Sequence, residues 1–424
     1  MIFVSYISTF LFYNKEKPPS ASLTNKSLGG ATMHSYYISN LLNLEGVIVK
    51  NITHSDSYIK IFIETKAFEH TCPCCGNKTK RIHDYRNQSI KDLPFQLKDC
   101  YLILKKRRYS CSCGKKFYEK YNFLPKFFRR TSRMTAYIAK ELHSSSTLKS
   151  IAERCNVSTA TVNRILDTIS YDRPRLHEAI SIDEFKGNAE TGKYQCILVD
   201  PIKHNVLDIL PNRSQADLAA YFRQIPKDER YRVKYFSCDM WEPYVDLAQA
   251  FFPNATVVID KYHFIRQMTW AIENVRKRLQ KEMLPSLRKY YKRSKRLILA
   301  RYENLSNENK RACELMLLYN EDLRRAHFLK EWFYKICSNP KFSEQRKDFS
   351  NWILNAESSG IPEFQKCAAT YRRWSNGILN AFKYSHISNG PTEGFNNKIK
   401  VLKRISYGIR NFKHFRTRIL LTTH

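Results

Sequence analysis

Acidic residues are scarce in this sequence: 39 Asp and Glu stand against 72 Lys and Arg in 424 residues, a net charge of +33. That imbalance lies outside the range of an ordinary soluble enzyme and points to a polyanionic partner, nucleic acid first and an anionic membrane surface second. Long apolar runs are also missing, and none approaches the length of a membrane-crossing helix. The N-terminal MIFVSYISTFLFY is apolar but lacks a basic n-region, and no small-residue cleavage site follows it. The expected compartment is therefore the cytoplasm, with no membrane partner. There the twelve cysteines are reduced thiols or metal ligands rather than disulfides. No repeat of the solenoid kind is present.

What the chain does contain is the material of folded domains. Hydrophobic residues make up 43% of it, and 26 Tyr and 25 Phe suit a folded basic protein better than a basic tail. Its length leaves room for two or three domains. Residues 14–32, NKEKPPSASLTNKSLGGAT, have linker composition, so 1–32 read as a disordered leader or upstream read-in, with the functional start expected at Met33. Residues 46–70 and 93–118 alternate in β fashion, and 131–168 read as helices. From residue 179 the strands AISIDEF, KYQCILVD and NVLDIL are followed by a helix (Gln215–Gln224), a strand YRVKYFSCD, a helix through 242–251 and a strand TVVID. Such alternation marks an α/β domain. Residues 262–385 read as mostly helical and very basic.

Two cysteine knuckles, Cys-Pro-Cys-Cys-Gly at 72–76 and Cys-Ser-Cys-Gly at 111–114, have the makings of a tetrahedral thiolate site for a structural zinc ion. Cys72, Cys75, Cys111 and Cys113 are the expected ligands. Cys74 competes with them, and free buried thiols are the plain alternative. Ahead of the second knuckle, Lys105, Lys106, Arg107 and Arg108 form a basic run that either meets phosphate or is simply solvated.

Residues 147–166, TLKSIAERCNVSTATVNRIL, fit a helix-turn-helix. Leu148, Ile151 and Ala152 line one helix, Ser158 is a good N-cap for the next, and Val162, Ile165 and Leu166 line the second. Thr159, Thr161, Asn163 and Arg164 are then the exposed DNA-reading side chains. A plain helical hairpin would show the same periodicity.

Three carboxylates call for explanation. Asp183 sits inside a strand, where Asp is disfavoured. Asp239 ends a strand, a position that often lines sites in α/β sheets, although it could also cap the following helix. Glu393 opens a helix at Gly390-Pro391 whose apolar stripe is Phe395, Ile399 and Leu402, with Glu393, Asn397 and Lys400 opposite. A first-turn Glu favoured by the helix dipole is the alternative there. Gathered together, three such acids repel unless cations offset them, and oxygen ligands beside phosphate favour Mg²⁺ or Mn²⁺. Two ions about 4 Å apart would activate a water or a 3′-hydroxyl and stabilise the leaving oxygen. Asp260, with His263, is a further acid–His candidate or a helix cap. The basic segments 276–296 and 398–418, with Lys398 and Lys400, are expected to track phosphates.

These residues resemble the DDE transposases of bacterial insertion sequences, and among them the ISL-three family. The matching stretches are CPCCG with HDYRNQSIKDLP, CSCGKKF, SIDEFKG, CDMWEPY, VVIDKYHFIRQ and SNGPTEGFNNKIKVLKRISYGIRNFKHFRTRIL. The resemblance implies a multidomain α+β chain: a zinc-binding β module (33–125), a helix-turn-helix (126–175) and a ribonuclease-H-like α/β catalytic core (176–424) interrupted by a helical insertion (262–385). It places Asp183 on the first core strand, Asp239 after the fourth and Glu393 on a late helix. It implies hydrolysis at the element's ends, then attack of the freed 3′-hydroxyl on target DNA. Double-stranded DNA would be the partner, a homo-oligomer the active form and the nucleoid the place. The short second knuckle departs from the expected spacing and leaves the zinc ligands open.

A reading from another class is a zinc and helix-turn-helix DNA-binding regulator without catalysis. Acids in a basic groove separate the two, because a pure regulator has no use for them. An RNA-directed nuclease is a third reading, since fold does not fix substrate, but the helix-turn-helix argues for duplex DNA.

Overall fold

The computed structural model describes residues 41–187, 191–293 and 295–423; the expected leader and the start at Met33 lie outside them. Two compact units result, one of residues up to Asp172 with Val401–Ile409 and Lys413–Thr422, the other essentially Arg173–Lys400. Among the described residues no helix is long and apolar enough to cross a membrane.

The first unit begins with strands β1 (Val47–His54), β2 (Tyr58–Thr65), β3 (His70–Thr71), β4 (Lys78–Thr79), β5 (Ile82–Phe95), β6 (Lys98–Ser110) and β7 (Lys116–Tyr118). Its main sheet runs β1-β2-β6-β5, with β7 also paired to β6; β2 and β6 are parallel and the other pairs antiparallel. The long β5–β6 hairpin turns on Gln96 and Leu97, both left-handed at φ 51° and 62°, as the tight turn of a twisted hairpin requires. β5 was expected only from about residue 93. Its first ten residues, IHDYRNQSIK, are an edge segment without apolar alternation and owe their strand form to pairing with β6.

Helices α1 (Ser132–Glu141), α2 (Leu148–Arg154) and α3 (Thr159–Thr168) follow, each started by a hydroxyl cap: Thr131, Thr147 and Ser158 accept from the backbone N–H three residues on. Met134, Ile138, Ile151, Val162 and Ile165 close their core.

The second unit is built on β8 (Ala179–Lys186), β9 (Tyr194–Asp200), β10 (Asn205–Leu210), β11 (Tyr235–Cys238) and β12 (Thr256–Ile259), in the order β10-β9-β8-β11-β12. β8, β9 and β10 are antiparallel in succession, whereas β11 is parallel to both β8 and β12. Between them lie α4 (Gln215–Arg223), α5 (Lys227–Tyr231) and α6 (Glu242–Phe251). The strand expected over 231–239 is shorter because Pro226 and the acids Asp228 and Glu229 start α5 just before it.

A helical stretch then runs through α7 (Lys261–Glu282), α8 (Pro285–Arg293), α9 (Lys295–Leu299), α10 (Asn307–Leu317), α11 (Glu321–Ser338), α12 (Phe342–Glu357), α13 (Pro362–Arg373) and α14 (Ser375–Lys383). Phe264, Met268, Ile272, Val275 and Leu279 bury one stripe of α7 against α11 and α13. α14 lies on β12, where a Cβ at Gly377 would come within 2.5 Å of Ile259 Cγ1. Only glycine permits that approach.

Two helices end the chain, α15 (Gly390–Ile405) and α16 (Phe412–Thr423). The expected core 176–424 gives up most of α16 to the first unit. There Leu421 joins the helical core, His414 Nε2 lies 2.6 Å from Asp167 Oδ1, and the fully buried Arg418 donates to the carbonyls of Leu142, Ser144 and Ser146. One guanidinium thus satisfies three acceptors at the end of α1. Burial lowers Arg418 to about 10. Replacing Arg418 with Met should cost about 2–3 kcal/mol, read in urea melts as earlier loss of the first unit's helices; an unchanged midpoint would show that these carbonyls need no such donor.

Candidate active site and DNA-binding modules

Four thiols converge at the edge of the first sheet. The ligand atoms of Cys72, Cys75, Cys111 and Cys113 all lie within 4.8 Å of one another, with Sγ–Sγ distances of 3.7 Å for Cys72–Cys113 and 3.5 Å for Cys75–Cys111. A zinc–thiolate bond of ~2.3 Å sets tetrahedral sulfurs about 3.8 Å apart, so the cradle fits that ion. The knuckles supply the geometry: Gly76 and Gly114 take φ 76° and 82°, and their amides donate to the carbonyls of Cys72 and Cys111. The backbone N–H of Cys113 pulls the Cys111 thiol down to about 6. Cys74, the competing ligand, is exposed and outside the cluster.

The basic run on β6 is divided by the pleat. Lys105 is exposed and lies 4.5 Å over the Tyr85 ring. Lys106 is half-buried, donates to Gln88 Oε1 and is lowered by burial. Arg107 corrects the expectation of a phosphate contact: it is buried and donates to Thr65 Oγ1 at 3.0 Å, with Glu119 Oε2 at 3.5 Å. Arg108 is likewise held, by both oxygens of Asp84. The reason is a change of covered face along β6: Leu102 and Leu104 are buried on one side, Arg107 and Tyr109 on the other.

On α3, Thr159 and Arg164 are exposed. Thr161 and Asn163, expected to be exposed as well, are half-buried, and Asn163 Oδ1 is enclosed without a hydrogen-bond partner. They flank Val162, which packs inward and draws its neighbours toward the core. The turn before α3 is fixed by Lys91 of β5, whose ammonium donates to Asn156 Oδ1, and by Tyr101 of β6, whose hydroxyl accepts from Asn156 Nδ2.

In the second unit, Asp183 stands in the middle strand of the sheet. Its Oδ1 accepts from the Glu184 amide at 2.7 Å and its Oδ2 from Asn396 Nδ2 of α15 at 2.8 Å. Burial first, and then the Asp239 charge, push Asp183 up to about 7. Asp239 follows β11 and does not cap α6, whose cap position, Trp241, makes no side-chain bond. Asp239, Asp260 and His263 gather their ligand atoms within 4.8 Å, with His263 Nε2 2.9 Å from Asp239 Oδ1 and 3.7 Å from Asp260 Oδ2. Burial pulls His263 down, but the surrounding carboxylates outweigh it and hold it above its ordinary value. Burial also raises Asp260, against the pull of His263 and of the Tyr262 and Asn389 amides.

Glu393 does not join that cluster; it is exposed in the first turn of α15, one turn before Asn396. Its helix is pinned to β8 twice, because Ser181 Oγ also donates to Asn389 Oδ1, which Thr392 Oγ1 bonds at 2.8 Å. The stripe of Phe395, Ile399 and Leu402 is buried as expected, with Glu393, Asn397, Lys398 and Lys400 exposed. Asn389 and Asn396 escaped the sequence reading; the signal for Asn396 is an Asn on the apolar side of an amphipathic helix, and Asn389 stands just before that helix. Asn396 Oδ1 is buried without a hydrogen-bond partner, as an atom facing a cation would be.

Much of the charge in 276–296 is spent internally. Arg276 is buried, Arg278 is paired with Glu363 and Asp322, and Lys277 and Lys295 share Glu273. Lys281, Arg288, Lys289, Lys292 and Arg296 remain exposed.

Comparison with known proteins gives three matches in chain order. Residues 69–113 match the zinc-finger of transposase IS204/IS1001/IS1096/IS1165, 119–170 the helix-turn-helix domain of transposase family ISL3, and 180–419 the family's transposase domain. A Bordetella parapertussis protein, the transposase for insertion sequence element IS1001, is 28% identical over 380 residues, 84% of this chain and 89% of its own length. The transposase for element IS1557 of Mycobacterium tuberculosis is 25% identical over 255 residues, 55% of this chain and 57% of its own.

Metal analysis by mass spectrometry should find about one zinc per purified chain. Cys111→Ser should lose it and Cys74→Ser keep it; equal loss in both would contradict the four-thiol set.

Proposed function

The chain belongs to transposase family ISL3, and we propose that it binds the ends of its own insertion sequence, cuts there and transfers the freed strands to target DNA. The observation that carries this reading is the pair of bonds, Ser181–Asn389 and Asp183–Asn396, that fastens the Glu393 helix along the strand bearing Asp183. A sheet of order β10-β9-β8-β11-β12, antiparallel on one side of β8 and parallel on the other, supports a ribonuclease-H-like core. In that reading 33–125 is the zinc module, 126–175 the helix-turn-helix, and 262–385 an insertion between Asp239 and Glu393. The zinc ligands are Cys72, Cys75, Cys111 and Cys113.

Asp183, Asp239 and Glu393 would hold Mg²⁺ or Mn²⁺, which when bound activates a water or 3′-hydroxyl and stabilises the leaving oxygen. A carboxyl raised to about 7 beside a second carboxylate suits such a site, since a cation relieves both burial and repulsion. Asn396 fixes the Asp183 carboxylate so that Oδ1 is turned to its own backbone and Oδ2 to α15. His263, held above its ordinary value by Asp239 and Asp260 against the effect of burial, limits their mutual repulsion when protonated. Thr159 and Arg164 would meet base edges, while Lys105, Lys398 and Lys400 would meet phosphates. Two element ends must be paired, which calls for at least two copies in the active complex, working at the nucleoid.

The test is cleavage of a supercoiled plasmid carrying the source element's ends, with Mg²⁺, Mn²⁺ or EDTA. Wild type should nick at the ends only with metal. Glu393→Gln and Asp183→Asn should lose about a thousandfold or more while binding ends at least as well. Asn396→Ala, a positioning change, should lose about 10–100-fold. Parallel loss of binding and cleavage in Glu393→Gln would sink the catalytic role, and end binding with no cleavage under any metal would favour the regulator.

A further inference from the structure

The segment 119–131, EKYNFLPKFFRRT, joins β7 to α1 and contains Lys120, Lys126, Arg129 and Arg130; its one acid, Glu119, is buried. Phe127 stands at its tip, 90% exposed, with φ 67°. A Phe in the left-handed region is uncommon, and Gly or Asn would sit there with less strain. A large aromatic is therefore held out in solvent by a backbone that ill suits it.

The tip is braced. Phe128 N donates to the Pro125 carbonyl at 3.1 Å, and Gln88 Nε2 donates to the Phe128 carbonyl at 2.9 Å. Lys91 N donates to the Arg129 carbonyl at 2.9 Å, and Thr131 N returns a bond to Lys91 at 3.1 Å. The same Lys91 reaches the turn of the helix-turn-helix through Asn156. Gln88 in turn accepts from Lys106. One chain of bonds thus links the strand cations, the aromatic tip and the turn that sets α3. Arg130 stacks 4.7 Å from the Phe128 ring and feels the charge of Arg164 on α3, although burial is the larger influence on it.

We propose that Phe127 is an aromatic wedge that enters duplex DNA beside the site read by α3 and unstacks one base step, with Lys126 and Arg129 on the flanking phosphates. It rests on the helix-turn-helix being the end-binding module. Apolar side chains that part base steps kink the duplex and let it meet more of the protein. A protein partner fits poorly: the two neighbouring exposed rings, Phe127 and the less exposed Phe128, stand among cations, unlike the core of a protein interface, from which Lys is depleted. DNA supplies the matching charge and a stack of rings. The wedge would give sequence preference by deformability at a step that no side chain reads by hydrogen bonds.

The experiment uses full-length protein and duplexes carrying the source element's end, with 2-aminopurine walked along the sequence and a donor–acceptor pair at the termini. Wild type should raise 2-aminopurine emission at one step and shorten the end-to-end distance. Phe127→Ala should abolish both signals and weaken binding roughly 5- to 100-fold, with the salt slope and the melting temperature unchanged. Phe127→Trp should restore them. Arg129→Ala should lower the salt slope by about one and spare the emission. Wild-type emission and bending in Phe127→Ala, with Arg164→Ala abolishing end binding, would overturn the wedge and leave the helix-turn-helix reading intact. End binding unaffected by both substitutions would overturn the two together. Loss of an oligomer in solution in Phe127→Ala, without DNA, would assign the tip to a second copy of the chain and so overturn it as well.

Discussion

The bond from Asn396 Nδ2 to Asp183 Oδ2 joins residues 213 positions apart and does what chain connectivity cannot. β8 is the middle strand of its sheet and carries the first acid, yet Glu393 comes only after eleven α-helices among the described residues. Without an anchor, that helix would have no defined height along the strand. Asn396 at Asp183 and Asn389 at Ser181 fix it at two points two turns apart. Both asparagines are buried, where an unpaired amide is costly, so an alternative register would leave polar groups stranded. The surrounding carboxylates create the opposite demand. Asp183, Asp239 and Asp260 lie in one another's field, and only His263 supplies nearby compensation among the described residues. The clamp orients the Asp183 carboxylate while the neighbouring acids raise it.

In the first unit the governing constraint is the division of a large positive charge between structure and partner. Arg107, Arg108, Arg133 and Arg418 are absorbed by Glu119, Asp84, Asp92 and backbone carbonyls. Lys105, Lys126, Arg129 and Arg164 keep exposed side chains. Sequence counts all eight alike; the fold separates the cations that build the module from those left for phosphate. The zinc cradle belongs to the structural side of that division, since four thiols close it and leave no position for chemistry.

The legible parts of the sequence were those with local causes. Strand alternation, the hydroxyl cap at Ser158, the stripe of α15 and the paired cysteine knuckles each depend on residues near in sequence, and each is found in the structure. Asp239 was legible as an acid ending a strand. The first ten residues of β5 were not, because a polar edge strand takes its form from its partner. Which of four adjacent cations on β6 turns inward depends on what covers each face, and the alternation of the run does not reveal that. Where the last helix packs was not legible, because the destination of Arg418 is set by carbonyls more than 270 residues earlier. Asn389 and Asn396 were passed over for the same reason: their partners are a strand away in space and half the chain away in sequence.

The central claim is that Asp183, Asp239 and Glu393 hold the same metal ions. Replacing Mg²⁺ with Fe²⁺ and adding ascorbate and peroxide would release short-lived radicals at the site, and peptide mapping would locate the backbone cuts. The account predicts cuts around 183, 239 and 393 together, suppressed by excess Mg²⁺ and reduced at all three positions in Glu393→Gln. Cuts confined to the neighbourhood of Asp239, Asp260 and His263, and unchanged in that variant, would mean that the Glu393 helix is clamped to the strand for stability alone.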